Sequence, residues 1–305
     1  NPWPLLHFVE DAGRALARAD GAVLQARAIE RHRFPDGELR LRLPVDAEGR
    51  MPRCAVLLRS LDQPNEKLVE LLLAGQAARA LGTEYLVLVA PYLAYMRQDM
   101  AFHPGEAVSQ RIIGRFLAQA ADAVITVDPH LHRVATLEAA VPVPQAMVLS
   151  GAPLLADLIA RRRPGALLVG PDEESAQWVA QAAARHGLDS AVCRKRRHGD
   201  REVSVELPEA TPVRGRAVVI VDDMASTGHT VAQAARALRA AGAASVDVAV
   251  THALFGADTL GLLRAAGVDE LWSTDSVPHP SNAVALAPAL ADAVSKVLAT
   301  RRRAA

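Results

Sequence analysis

The chain has 305 residues, half of them apolar and only 4% aromatic, and its 34 basic and 34 acidic side chains leave no net charge. That length suits two domains of about 150 residues each, and a neutral chain has no overall field to gather nucleic acid, so ligands must be drawn by local patches. No apolar run reaches the roughly 18 to 20 residues of a membrane span, no basic segment leads into an apolar one as in a secretory signal, and Cys54 and Cys193 stand far apart in no metal-like spacing. The expectation is a cytoplasmic protein with neither membrane nor nucleic-acid partner.

In chain order, the first half opens with the polar stretch RFPDGELRL (Arg33 to Leu41). AVLLRS (Ala55 to Ser60) and YLVLVAPY (Tyr85 to Tyr92) then read as strands, with NEKLVELLLAGQAARALG as the helix between them. RQD (Arg97 to Asp99) lies in the loop that follows. AVSQRIIGRFLAQA (Ala107 to Ala120) is an amphipathic helix, and AVITVD ends at Asp128 just before PHLH (Pro129 to His132). VPVPQ then breaks the helical pattern, and the boundary between domains is placed there, at 1–146 and 147–305, with the last helix free to pack back on the first domain.

The second half repeats this rhythm. ALLVGPD (Ala166 to Asp172) is a strand, SAQWVAQAAARHG a helix, AVVIVDD a strand, VAQAARALRAAG a helix, SVDVAVTHALF a strand and ELWSTDSV a later one. Strands alternating with helices predict an α/β protein with mostly parallel sheets flanked by helices on both faces. Between helix and strand lies a different pattern, SAVCRKRR, a turn-like HGD and REVSVEL, whose Val203, Val205 and Leu207 alternate with polar residues. It predicts a β-hairpin with a basic arm, either a solvated edge or a lid over phosphates. Only three basic residues are lysine, Lys67, Lys195 and Lys296, so a compact ammonium set among the arginines of this arm invites a chemical role.

VVIVDDMASTGHT (Val218 to Thr230) carries the most information. A β-branched run without polar alternation is a strand buried on both faces, and it ends on Asp222 and Asp223 before small and hydroxylated residues and a helix. Such a junction is where ligands bind in open α/β sheets. Backbone N–H groups of the loop converge on a phosphate at the positive end of the helix, and the carboxylates, which repel phosphate, accept hydrogen bonds from sugar hydroxyls or hold a metal. The plainer reading is a strand end with Ser226 or Thr227 as helix N-cap.

The string resembles the ribose-phosphate motif of the phosphoribosyltransferase and phosphoribosyl pyrophosphate (PRPP) synthetase superfamily. With RFPDGELRL, the RQD loop, VDPHLH, the basic flap and TDSVPHPSN (Thr274 to Asn282), the resemblance covers nearly the whole chain and selects the PRPP synthetase (ribose-phosphate pyrophosphokinase) family, its shorter archaeal-like members above all. The resemblance implies two tandem phosphoribosyltransferase type I-like domains, ATP and ribose 5-phosphate as substrates, Mg2+ as cofactor and a homodimer or higher homo-oligomer. It implies an ATP site from Phe34, Asp36 and Glu38, supplied by a neighbouring subunit, with Arg97, Gln98, Asp99 and His130. Asp222, Asp223, Ala225, Ser226, Thr227, Gly228 and Thr230 correspond to the ribose 5-phosphate cradle, His130 and Asp172 to metal-binding positions, and Lys195 and Arg197 to catalytic lid residues. Glu173, Glu174 and Ser175 depart from the glycine pair common in bacterial members, so regulation by ADP or phosphate is not carried over. Two alternatives stay open here, a type I phosphoribosyltransferase with a duplicated fold and a catalytically silent subunit.

Overall fold

The computed structural model describes residues 3–19, 24–131, 133–198, 202–208 and 211–304, the side chains of 195–198, 202–204 and 302–304 excepted. The chain forms two compact units, 1–149 with 286–305, and 150–285.

The first unit begins β1 (Trp3–His7), α1 (Glu10–Ala19), β2 (Leu24–Ala28), then a hairpin of β3 (Glu30–Arg33) and β4 (Leu39–Arg42). It continues β5 (Cys54–Leu58), α2 (Pro64–Ala80), β6 (Tyr85–Ala90), α3 (Ser109–Ala120), β7 (Ala123–Val127), α4 (Leu137–Ala140) and β8 (Gln145–Leu149). Six strands form one parallel sheet in the order β2-β1-β5-β6-β7-β8, while β3 and β4 pair antiparallel with each other. The inner strands are continuous apolar runs because helices cover both of their faces.

The second unit runs α5 (Ala152–Arg162), β9 (Leu167–Gly170), a 3-10 turn (Glu173–Ser175), α6 (Ala176–His186) and β10 (Ser190–Val192). The basic hairpin follows as β11 (Arg194–His198) and β12 (Glu202–Glu206), then β13 (Ala217–Ala225), α7 (His229–Ala240), β14 (Ser245–Ala253), α8 (Ala257–Ala265), β15 (Leu271–Thr274) and β16 (Asn282–Val284). Its parallel sheet has the order β10-β9-β13-β14-β15-β16, so both units share one topology, down to an antiparallel hairpin inserted between the second and third strands. The last helix, α9 (Ala287–Ala304), belongs to the first unit.

The core strands and helices stand where the sequence predicts them, and β13 is central, buried on both faces between β9 and β14. It is longer than read from its apolar run. The ladder to β14 continues through Asp222 and Met224 to Ala225, so the acidic pair lies inside the strand. The HGD turn of the basic hairpin lies largely outside the described residues. Short pieces without strong periodicity, β1, β2, β8, β10 and β16, go unannounced in the sequence because three to five residues carry too little pattern to separate strand from loop.

Close packing leaves no room at Gly114 of α3, where an added Cβ would fall 1.8 Å from the Ala140 carbonyl oxygen. Gly114→Ala is therefore expected to destabilise the first unit by about 1–3 kcal/mol through overpacking, read as a lower denaturation midpoint; an unchanged midpoint would show that α3 and α4 slide apart freely.

Candidate functional site

Ligands of open parallel sheets sit beyond the carboxyl ends of the strands, where the strand order reverses. In the second unit that reversal lies between β9 and β13, since β9 feeds β10 on one side and β13 enters on the other. Asp172 follows β9, and Asp222 and Asp223 close β13, so the chain brings three predicted carboxylates to this one point. Asp172 and Asp223 are buried. One Asp222 oxygen accepts the Asp223 N–H at 2.9 Å, and an Asp172 oxygen accepts the Glu174 N–H at 3.1 Å, capping the 3-10 turn. Burial raises the Asp222 pKa well above the usual carboxylate range, reinforced by the negative charges of Asp223 and then Asp172. Burial, with the Asp172 charge added, likewise pushes the neighbouring Cys193 thiol up to about 12. Negative charge is unwelcome there.

The loop beyond supplies the opposite polarity. α7 starts at His229 with Gly228 as its N-cap residue, in the left-handed region at φ 71°, and no side chain caps its first N–H groups. The reading of Ser226 or Thr227 as an N-cap is thus overturned. The positive φ favours glycine, and an added Cβ would stand 2.5 Å from the Thr259 side chain. Ser226, Thr227, Gly228, His229 and Thr230 leave an uncapped, positive helix end beside Ala225 and the acidic pair, the arrangement that receives a phosphate.

The flap is present as backbone: Lys195 pairs with Val205 and Arg197 with Val203 in the β11–β12 ladder. Val205 is buried and ties the hairpin to the second core, while the side chains of Lys195 and Arg197 lie outside those described.

In the first unit, the RFPDGE residues form the tip of the β3–β4 hairpin. Phe34, Asp36 and Glu38 are all exposed. The tip is a tight turn: Phe34 N–H donates to the Glu38 carbonyl at 2.9 Å, Glu38 N–H to an Asp36 carboxylate oxygen at 3.1 Å, and Gly37 takes φ 94°. His32 meets Phe34 edge to face at 4.8 Å. Asp36 therefore shapes the turn that presents Phe34.

Arg97, Gln98 and Asp99 lie in the loop after β6, and His130 in the loop after the adjacent β7. Asp99 is buried and accepts from the Arg133 backbone N–H at 3.1 Å and its guanidinium at 2.7 Å, so it joins these two loops and is not the surface partner of Arg97. Burial alone would raise the Asp99 pKa, but the hydrogen bonds and charge of Arg133 override it and hold the carboxyl below its usual range. Arg97 is exposed, Gln98 accepts from the Ser109 hydroxyl at 2.8 Å, and His130 is half-buried. Gln63, Tyr95 and Asp128, the non-glycine residues with positive φ among those described, follow β5, β6 and β7 on one edge of this sheet. Backbone strain of this kind gathers where ligands bind.

A pairing the sequence reading missed is Arg59 with Glu70. Arg59 directly follows β5, and Glu70 is fully buried in α2. The sign was available, since one glutamate inside VELLL on an otherwise apolar helix face asks for a buried partner.

Among the described residues no group of three or more His, Cys, Asp or Glu side chains is close enough to hold a metal by itself. The hard carboxylate oxygens at the second unit's reversal point suit Mg2+ that is bound mainly through substrate phosphates. His130 and Asp172 belong to different units, and each is described within its own.

Comparison with known proteins agrees with this division. Residues 13–121 match the N-terminal domain of ribose phosphate pyrophosphokinase, and residues 147–259 match the phosphoribosyl transferase domain. A ribose-phosphate pyrophosphokinase of Methanopyrus kandleri is 39% identical over 93% of this chain and 95% of its own. Ribose-phosphate pyrophosphokinase 2 of Archaeoglobus fulgidus is 34% identical over 92% and 94%. The fold is that of phosphoribosylpyrophosphate synthetase from Mycobacterium smegmatis, at a TM-score of 0.82 and 23% identity over 98% of this chain and 100% of that one. With its N-terminal half matched as well as its C-terminal half, the chain belongs to the ribose-phosphate pyrophosphokinase family.

Proposed function

We propose that the two units divide one reaction: the second holds ribose 5-phosphate at Asp222, Asp223 and the 225–230 loop, and the first holds MgATP. The reaction is ribose-phosphate diphosphokinase chemistry. The C1 hydroxyl oxygen attacks the β-phosphorus of ATP, the bond to the α,β-bridging oxygen breaks and its electron pair leaves with AMP, the hydroxyl proton passes to water, and the product is PRPP. The observation that carries this reading is the carboxylate pair, Asp223 buried and Asp222 half-buried, beside an uncapped helix N-terminus. Ribose hydroxyls satisfy the carboxylates as donors, and the 5-phosphate meets the free N–H groups, which explains why one edge presents opposite polarities a few residues apart.

Two polyanions must approach each other, so positioning and charge neutralisation lower the barrier. Lys195 and Arg197, on a hairpin at the same unit, are the cations for the transferring phosphates. Phe34 offers an aromatic face to the adenine, with Asp36 and Glu38 at the same tip, and Arg97, Gln98 and His130 meet the nucleotide, while buried Asp99 orients their loops through Arg133. When bound, Mg2+ would supply charge neutralisation on the triphosphate, and His130 of the first unit and Asp172 of the second, each within its own unit, are the residues that would assist the phosphates in holding it. Exposure of the Phe34 tip fits its use by a neighbouring subunit, and α2 leaves Val69, Leu72 and Leu73 on an exposed apolar stripe that a homo-oligomer would cover. Two free thiols suit a reducing compartment, the cytoplasm.

Purified protein with MgATP is expected to release AMP and PRPP in equal amounts only when ribose 5-phosphate is present. Neither product, with retained PRPP binding, would favour a silent subunit or a transferase.

Lys195→Ala is expected to lower kcat by about 10³-fold, as loss of a charge-stabilising arginine does in other phosphoryl transfers, with ribose 5-phosphate affinity nearly intact; loss of both together would make the flap structural. Asp223→Ala is expected to weaken ribose 5-phosphate binding, and unchanged affinity in calorimetry would remove it from the sugar site.

Asp222→Asn separates stability from function. The folded-state pKa of Asp222 lies above its unfolded value, so near neutral pH the ionised form opposes folding, and this destabilisation fades as pH falls toward the unfolded pKa. The variant is expected to melt higher at neutral pH, by less at pH 4, while binding ribose 5-phosphate more weakly. A lower melting temperature would show that the carboxylate is satisfied within the protein.

A further inference from the structure

The same reversal of strand order exists in the first unit, between β1 and β5. There the carboxyl edge is filled by the protein itself. Arg59, the residue after β5, is buried and lays its guanidinium 4.7 Å from the centre of the Phe8 ring, and Phe8 follows β1. Arg59 is held from beneath by Glu70 of α2, whose side chain has no exposed surface. A charge pair at this depth is expensive unless it does something that an apolar pair could not.

Glu70 has a second partner. Its other carboxylate oxygen accepts from Arg31 of β3 at 2.6 Å, across 39 residues of sequence. One turn earlier on α2, Glu66 faces the same strand, 3.6 Å from Arg31 and 3.3 Å from Arg33. Residues four apart share one helix face, so Glu66 and Glu70 form a rail to which two alternate residues of β3 are fastened. The next residue after Arg33 is Phe34. Leu41 and Leu43 pack the other strand of the hairpin into the core, which fixes its base, and the ion pairs of β3 with α2 bear on where the exposed tip points.

We infer that Glu70, locked from below by Arg59 and joined by Glu66, is a positioning residue for ATP: through Arg31 and Arg33 it aims the hairpin that presents Phe34, Asp36 and Glu38 to the adenine. This rests on the reading of that tip as the adenine loop. An arginine on the strand side suits the task, because one of its guanidinium nitrogens lies between two carboxylates, 2.6 Å from Glu70 and 3.6 Å from Glu66. The arrangement also accounts for Arg59 in the crevice that the second unit uses for its sugar phosphate: in this copy of the fold, the reversal point is converted from a ligand site into an anchor.

The test uses the full-length enzyme and four variants assayed for KM of MgATP, KM of ribose 5-phosphate and kcat, with melting temperatures alongside. Arg31→Gln cuts the hairpin leg and keeps the buried Arg59–Glu70 pair. It is expected to raise KM for MgATP at least fivefold while KM for ribose 5-phosphate stays within twofold and the melting temperature holds. Arg31→Lys, which retains one contact to Glu70, is expected to recover most of that loss. Glu70→Gln strands Arg59 and is expected to melt lower as well as to raise KM for MgATP. Phe34→Ala tests the underlying reading independently. If Phe34→Ala leaves KM for MgATP unchanged, the tip is not the adenine loop. If Phe34→Ala raises it but Arg31→Gln does not, the tip binds adenine and the rail on α2 is merely structural, which overturns the inference.

Discussion

Three carboxylates drawn together at the end of a fully buried strand are the constraint around which the second unit is arranged. Asp222 and Asp223 cannot turn away, because the ladder between β13 and β14 continues past them, and Asp172 is fixed by the turn it caps. Burial, and then the charges of Asp223 and Asp172, resist ionisation of Asp222. A fold that keeps such a feature retains it for what it binds. The left-handed Gly228 and the uncapped start of α7 set positive polarity beside these carboxylates, which is what the proposed sugar-phosphate site draws on.

Both units are built on one plan, six parallel strands in corresponding order with an inserted antiparallel hairpin. They have been put to different uses. In the second unit the reversal point is left polar and the hairpin is basic. In the first, Arg59, Phe8 and Glu70 close the corresponding crevice, and the hairpin is fastened to α2 by ion pairs. The proposed division of the two substrates between the units rests on this difference: the same two places, the strand reversal and the hairpin, carry different side chains.

The proposed ribose-phosphate segment could be singled out in the chain because its parts are contiguous: a buried strand, two aspartates, small residues and the start of a helix follow one another within thirteen residues. Its boundaries were not. The strand reaches Ala225 and the helix is headed by Gly228, since pairing with β14 and the close approach of Thr259 decide where ladder and helix meet. Asp99 shows the same limit. It is named among the expected ATP-site residues, whereas the tertiary fold turns it inward to Arg133, 34 residues away.

The amino-acid order by itself determined the α/β class, the parallel central strands, the family and the cradle, because hydrophobic period and local loop chemistry are properties of neighbours in sequence. Only the tertiary structure decided that Asp172 stands with Asp222 and Asp223, that Arg59 and Arg31 share Glu70, and that the Phe34 tip is presented to solvent. None of these follows from immediate neighbours in sequence, because whether a charge or a ring is buried, paired or exposed depends on which other elements close over it.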